Sequence, residues 1–88
     1  MAISKIQVSM IENEEVDGAS KKNVTLDIYD DAIEGGYCIT KYLEIVKDKT
    51  DDDYVKDAYA LMIDQITEWQ NSKKNIGKTF NLDTGKIE

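Results

Sequence analysis

Two segments near the start of the chain alternate apolar and polar residues with a period of two. In residues 3–10 the apolar side chains are Ile6, Val8 and Met10. In residues 23–29 they are Val24, Leu26 and Ile28. This period is typical of strands that bury one face, so we predict an antiparallel hairpin with strands at about 3–10 and 23–29. The polar segment between them predicts a long loop, which leaves the register to the apolar faces.

Residues 51–71 predict an amphipathic helix. Thr50 is a suitable N-cap, and the three aspartates that follow it favour the positive end of a helix dipole. Apolar residues then recur every three or four positions, at Val55, Tyr59, Met62, Ile66 and Trp69. We expect Tyr59, Met62 and Trp69 to lie in the core or in an interface.

The stretch from 32 to 48 fits two periods. Ile39, Tyr42, Leu43 and Val46 share one face of a helix, whereas neither face of a strand over 37–46 is uniformly apolar. We therefore predict a helix at about 32–48, in which Gly35 and Gly36 allow another backbone to approach closely. The alternative is a third strand at 37–46, which gives a β-meander with one long helix.

The last residues, 79–87, predict a short β-hairpin with a turn at Asp83-Thr84-Gly85. The predicted fold is therefore α+β, in a single small domain over residues 1–88. An N-terminal antiparallel hairpin is packed by a helical hairpin (about 32–48 and 51–71), and the C-terminal hairpin (79–87) follows.

Charge is distributed unevenly along a chain whose net charge is −7. Residues 1–72 contain sixteen acids and seven lysines, whereas residues 73–88 contain two acids and four lysines. A negative field of this kind repels nucleic acids and anionic membranes and attracts basic surfaces. We therefore expect a basic protein partner, no direct nucleic-acid binding and no membrane binding.

The sequence offers little reactive chemistry, because it contains no histidine and no arginine. Cys38 has no histidine to activate it, and we expect it to be a small buried or half-buried residue. The segments at 72–79 and 83–85 resemble a phosphate-binding loop and a protease signature, but they lack the strand and helix context that either motif needs. We predict no catalytic, cofactor-binding or metal-binding residue, and no enzyme activity.

The acidic clusters are the remaining candidate for a function. We expect a small non-enzymatic interaction protein that binds a basic protein surface, of the type of a phage or mobile-element inhibitor or a nucleic-acid mimic. The candidate partner-binding residues are Glu12, Glu14, Glu15, Asp17, Asp30, Asp31, Glu34, Asp53, Asp57 and Asp64.

Two other functions compete with this one. The first is a structural or assembly subunit of a homo-oligomer or virion, which would associate through the Tyr54–Trp69 face of the helix. The second is a small-molecule-binding or sequestering protein with Tyr and Trp around a pocket. One cysteine and no recognisable signal peptide or membrane span indicate a cytoplasmic location.

Overall fold

A computed structural model describes residues 2–88 and shows an α+β fold. Three antiparallel strands form a sheet in the order β1-β2-β3, with β1 at Ile3–Val16, β2 at Ala19–Asp30 and β3 at Tyr37–Leu43. One helix, α1 (Asp51–Lys73), packs on one face of this sheet. We call this the helix face, and the opposite face the outer face. The strands β4 (Phe80–Asn81) and β5 (Lys86–Ile87) then pair as the predicted C-terminal hairpin.

The N-terminal hairpin is longer than predicted, and the long loop is absent. Strands β1 and β2 pair up to Val16 and Ala19, and only Asp17 and Gly18 separate them. Both turn residues have positive φ, 53° and 82°, as the tightest hairpin turns require and as Asp-Gly adopts readily. The alternation was not visible here because residues 12–15 and 17–20 are all exposed, so neither strand buries an apolar face near the turn.

The predicted helical hairpin is wrong, because the structure has one helix and residues 37–43 form the third strand. Strand β3 pairs with β2 from Tyr37 opposite Ile28 to Leu43 opposite Lys22. Its helix face carries Ile39, which is buried, while Thr40 on the outer face bonds Thr25 across the strands at 2.7 Å. A strand covered on one face normally alternates cleanly, but here Lys41 lies on the helix face opposite Val24 and Tyr42 is exposed on the outer face. These two residues produce the mixed pattern that resembled a helix.

The two glycines before β3 end the preceding turn instead of lying in a helix. Gly35 has a φ of 80°, which a helix interior excludes. Gly36 packs under the ring of Tyr29, and a Cβ at this position would lie 2.8 Å from the Tyr29 Cε1 atom. The close contact is therefore with a side chain, within a turn between two strands, and not with another backbone as predicted.

The core lies between α1 and the helix face of β2 and β3. Its buried apolar residues are Val24, Leu26, Ile28, Ile39, Tyr54, Ala58, Met62 and Ile66. Each large side chain buried here contributes about 1.5–3 kcal/mol by leaving water. Tyr59 and Trp69 pack against this cluster while partly exposed, with the Trp69 ring 5.5 Å from that of Tyr37. The side of α1 that the sequence offered for self-association, from Tyr54 to Trp69, is thus largely covered by the sheet.

Polar contacts fix the helix at both of its ends. Thr50 accepts a hydrogen bond from the Asp53 backbone at 3.2 Å, as an N-cap should. The Tyr54 hydroxyl donates to the Val46 carbonyl at 3.1 Å and holds the connection from β3. Near the helix C-terminus, Gln70 donates to Asp30 of β2 at 2.7 Å.

The molecule is elongated, with extents of 60 × 27 × 17 Å. Its radius of gyration is 17.3 Å, whereas a compact chain of this length has about 12 Å. The excess comes from the β1–β2 hairpin, which projects beyond the end of β3, and from the C-terminal hairpin, where Leu82 is 88% exposed. Within residues 2–88, no helix combines the length and the apolar character that a membrane crossing needs.

Candidate interaction surface

The predicted acidic residues fall at two ends of the sheet and along the helix. Strand β2 has 12 residues, so its ends lie about 36 Å apart. The hairpin end carries the Asp17–Gly18 turn and the start of α1, since Tyr54 lies beside Lys22 of β2. The far end carries the β2–β3 turn and the end of α1, where Gln70 meets Asp30. The ten residues therefore do not form one cluster.

Three of the ten, Glu14, Glu15 and Asp17, lie on the projecting hairpin, and Glu12 lies within the three-stranded part, opposite Asn23; all four are exposed. Glu14 is anchored, because it accepts a hydrogen bond from Asn23 Nδ2 at 2.6 Å. Asn23 in turn accepts from Thr25, and this side-chain network continues to Thr40 on β3. The network ties the base of the projecting hairpin to the three-stranded part of the sheet.

Two lysines at the hairpin end, Lys21 and Lys49, are partly covered, whereas the carboxylates that they meet are more exposed. Lys21 pairs with Glu44, and the two side chains are 28% and 80% exposed. Lys49 pairs with Asp57, and here the values are 21% and 54%. Lys22 and Lys49 also lie over the Tyr54 ring, at 4.9 and 4.8 Å from its centroid. In both ion pairs at this end, the carboxylate is therefore more accessible to a partner than the lysine.

Three further predicted residues, Asp53, Asp57 and Asp64, lie on the exposed side of α1. At about 100° per residue they fall within about 40° of one another around the helix axis. They form a strip along the helix, which begins at the hairpin end.

The hydrogen bond to Asp57 raises the pKa of Lys49, although burial acts to lower it. Lys49 therefore stays charged in its ion pair with Asp57.

At the far end, Asp30 has a structural role. It is 4% exposed and accepts hydrogen bonds from Gln70 at 2.7 Å and from the Ala32 backbone at 2.8 Å. Burial acts to raise its pKa, but these hydrogen bonds outweigh burial and hold the pKa of Asp30 below its ordinary value of 3.8. Asp31 accepts from the Ala2 backbone at 3.1 Å. Neither carboxylate is arranged primarily for a partner.

Glu34 lies at the far end, on the rim of a cavity of about 270 Å³. The other lining residues are Ala32, Ile33, Lys73 and Ile76, and none of the five is aromatic. This cavity differs from the pocket of Tyr and Trp side chains that a small-molecule binder was expected to have. In the structure, the aromatic side chains of Tyr37 and Trp69 pack on each other and on the core.

Cys38 is exposed on the outer face, so the expectation of a buried or half-buried cysteine is wrong. It lies opposite Asp27 on β2. The hydrogen bond with Asp27 raises the pKa of the Cys38 thiol, and partial burial and the aspartate charge add to the shift. A raised pKa disfavours the thiolate that nucleophilic or metal-binding chemistry needs.

Within residues 2–88, no group of three or more Cys, Asp or Glu side chains is arranged to hold a metal ion. Comparison of the chain with protein-family models, with curated proteins and with solved structures gives no significant match. No pattern in the sequence distinguishes Glu44 from the other acids, or shows which lysines are partly covered. That information depends on contacts between β2, the β3–α1 connection and α1, which are distant in sequence.

Proposed function

We propose that the protein is a non-enzymatic interaction protein whose hairpin end binds a basic protein surface. The observation that carries the proposal is the covering of Lys21 and Lys49, each paired with a more exposed carboxylate. Exposed carboxylates in a field of one sign increase the rate of encounter with a basic partner and select against acidic ones. The partner-facing residues are those of the projecting hairpin and of the helix strip.

Carboxylates along the hairpin and the helix would take the place of nucleic-acid phosphates on such a partner. Side chains on one face of a strand recur at about 6–7 Å, which is close to the phosphate spacing along a nucleic-acid strand. On this proposal the protein acts as a nucleic-acid mimic, of the kind that phage or mobile elements use as inhibitors. Its net charge of −7 opposes binding to nucleic acid itself.

The test is capture of partners from a lysate of the encoding organism on the immobilised protein. We expect captured proteins to be basic, to be displaced by duplex DNA, and to be released as salt is raised from about 50 to about 500 mM. Capture that is unchanged at the higher salt, or captured proteins that are not basic, would contradict the proposal.

Matched variants locate the surface. One variant neutralises three carboxylates at the hairpin end, Glu15→Gln, Asp17→Asn and Asp53→Asn. The control neutralises three elsewhere, Glu34→Gln, Asp83→Asn and Glu88→Gln, with the same change in net charge. For a purified captured partner, we expect the first variant to weaken binding about tenfold, from about 0.5 kcal/mol per exposed charge pair. An equal loss in both variants would show that only net charge matters.

A further inference from the structure

Strand β1 has an open edge and an uncovered apolar face. Within residues 2–88 it pairs with β2 on one side only. Helix α1 packs on β2 and β3, so Ile6 and Val8 remain 38% and 47% exposed on the helix face, and Met10 is 42% exposed on the outer face. A long edge strand with exposed apolar residues is a template for pairing with another strand.

The strand also carries two features that oppose indiscriminate pairing. Lys5 projects from it, and the register shifts between Val8 and Met10 as at a β-bulge. A partner edge must therefore place a carboxylate opposite Lys5 and must follow the same irregular alternation of faces. Over residues 5–12 a second, antiparallel copy of β1 meets both conditions, because its Glu12 can lie opposite Lys5 and its own shift between Val8 and Met10 then falls at the same point along the pair. A further shift between Ile3 and Lys5 ends the match there.

The register shift places Lys5 and Glu12 on the same face, although an odd number of positions separates them. Lys5 lies opposite Tyr29 and Glu12 opposite Asn23, and those two residues share the outer face of β2. Ile6 and Ile11 likewise share the helix face, because they lie opposite Ile28 and Val24.

We propose that two copies of the chain form a symmetric dimer by antiparallel pairing of β1 with β1. The two-fold axis passes between Val8 and Ser9, so that Lys5 of each copy lies opposite Glu12 of the other and Ile6 lies opposite Ile11. The Lys5–Glu12 pairs lie on the outer face and the Ile6–Ile11 pairs on the helix face. The two-fold axis makes each pair occur twice. The product is a six-stranded sheet with both helices on one face.

The proposal rests on the charges and apolar residues that this register brings together. A specific interface of this kind buries at least roughly 600 Å² per partner, which the exposed residues of β1 and of the neighbouring sheet face must supply. This proposal is independent of the basic partner, and Glu12 is unchanged in the variants that test that partner.

Sedimentation equilibrium tests the dimer on the full chain and on two variants in which one interface charge is reversed. We expect the wild type to dimerise by tens of micromolar. Lys5→Glu and Glu12→Lys should each weaken dimerisation about tenfold or more, because two attractive pairs become repulsive. An equal mixture of the two variants should form a heterodimer in which every pair is again attractive. No single-site effect on folding can produce this rescue.

A second pair of variants tests the interface without Lys5, which also lies 4.6 Å from the Tyr29 ring centroid. Val8→Lys should abolish the dimer, whereas Leu61→Lys, at a 58% exposed position of α1, should leave it intact. A wild-type chain that remains monomeric through hundreds of micromolar overturns the proposal. So does a dimer that Val8→Lys leaves unchanged, or a mixture of the charge variants that stays monomeric.

Discussion

Replacing Met62 by Ala removes a side chain that is 0% exposed at the centre of the helix–sheet contact. Such a substitution in a core costs about 2–5 kcal/mol, through lost burial and the cavity that remains. An 88-residue domain has a total stability of about 4–13 kcal/mol. The variant should therefore lose a large fraction of its stability, and its Tm should fall by at least about 8 °C.

Leu61 provides a matched control one position earlier on the same helix. It is 58% exposed, so Leu61→Ala should change the free energy of unfolding by less than about 0.5 kcal/mol. Urea denaturation followed by tryptophan fluorescence measures both variants, with Trp69 as the probe. If Leu61→Ala costs as much as Met62→Ala, then α1 is rotated relative to the sheet or Leu61 is covered by another molecule, and the packing described above is wrong.

Two further predictions concern the turn from β2 to β3. Because hydrogen bonds lower the pKa of Asp30 in the folded state, the unfolded chain binds more protons, and this part of the stability is lost as pH falls through the lowered pKa. Urea denaturation between pH 7 and pH 2 should show a weaker acid dependence for Asp30→Asn than for the exposed control Asp52→Asn, and equal dependences would refute this role. Gly36→Ala should cost about 1–3 kcal/mol by crowding the Tyr29 ring, and thermal melting should show a smaller loss in a Tyr29→Ala background. The same loss in both backgrounds would mean that the ring is not the obstacle.

The sequence predicted the elements whose burial is one-sided and regular. Helix α1 was predicted from 51 to 71 and ends at Lys73, and its N-cap Thr50 was identified from local chemistry. The shared face of Val24, Leu26 and Ile28 on β2 was also predicted correctly, whereas on β1 the register shift after Val8 moves Met10 from the predicted face to the outer face. These elements have strong local signals, since each buries a periodic stripe and ends at a capping or turn residue.

The errors arose where contacts distant in sequence decide the structure. Strand β3 is short and lies at an edge, so its covered residues, Ile39 among them, were too few to distinguish a strand from a helix. The hairpin turn at Asp17–Gly18 was missed because its flanking residues are exposed on both faces. At the candidate surface, composition gave the sign of the charge, but the burial of Asp30 and the covering of the lysines depend on Gln70, Glu44 and Tyr54.

The elongated shape has a practical consequence for measuring the size of this protein in solution. A radius of gyration of 17.3 Å is that of a compact chain of roughly 230 residues. On a gel-filtration column calibrated with globular standards, a single copy should therefore elute early, in the direction of an apparent dimer or trimer. Elution volume alone would then not distinguish an elongated monomer from a dimer. Methods that respond to mass, such as light scattering, avoid this error.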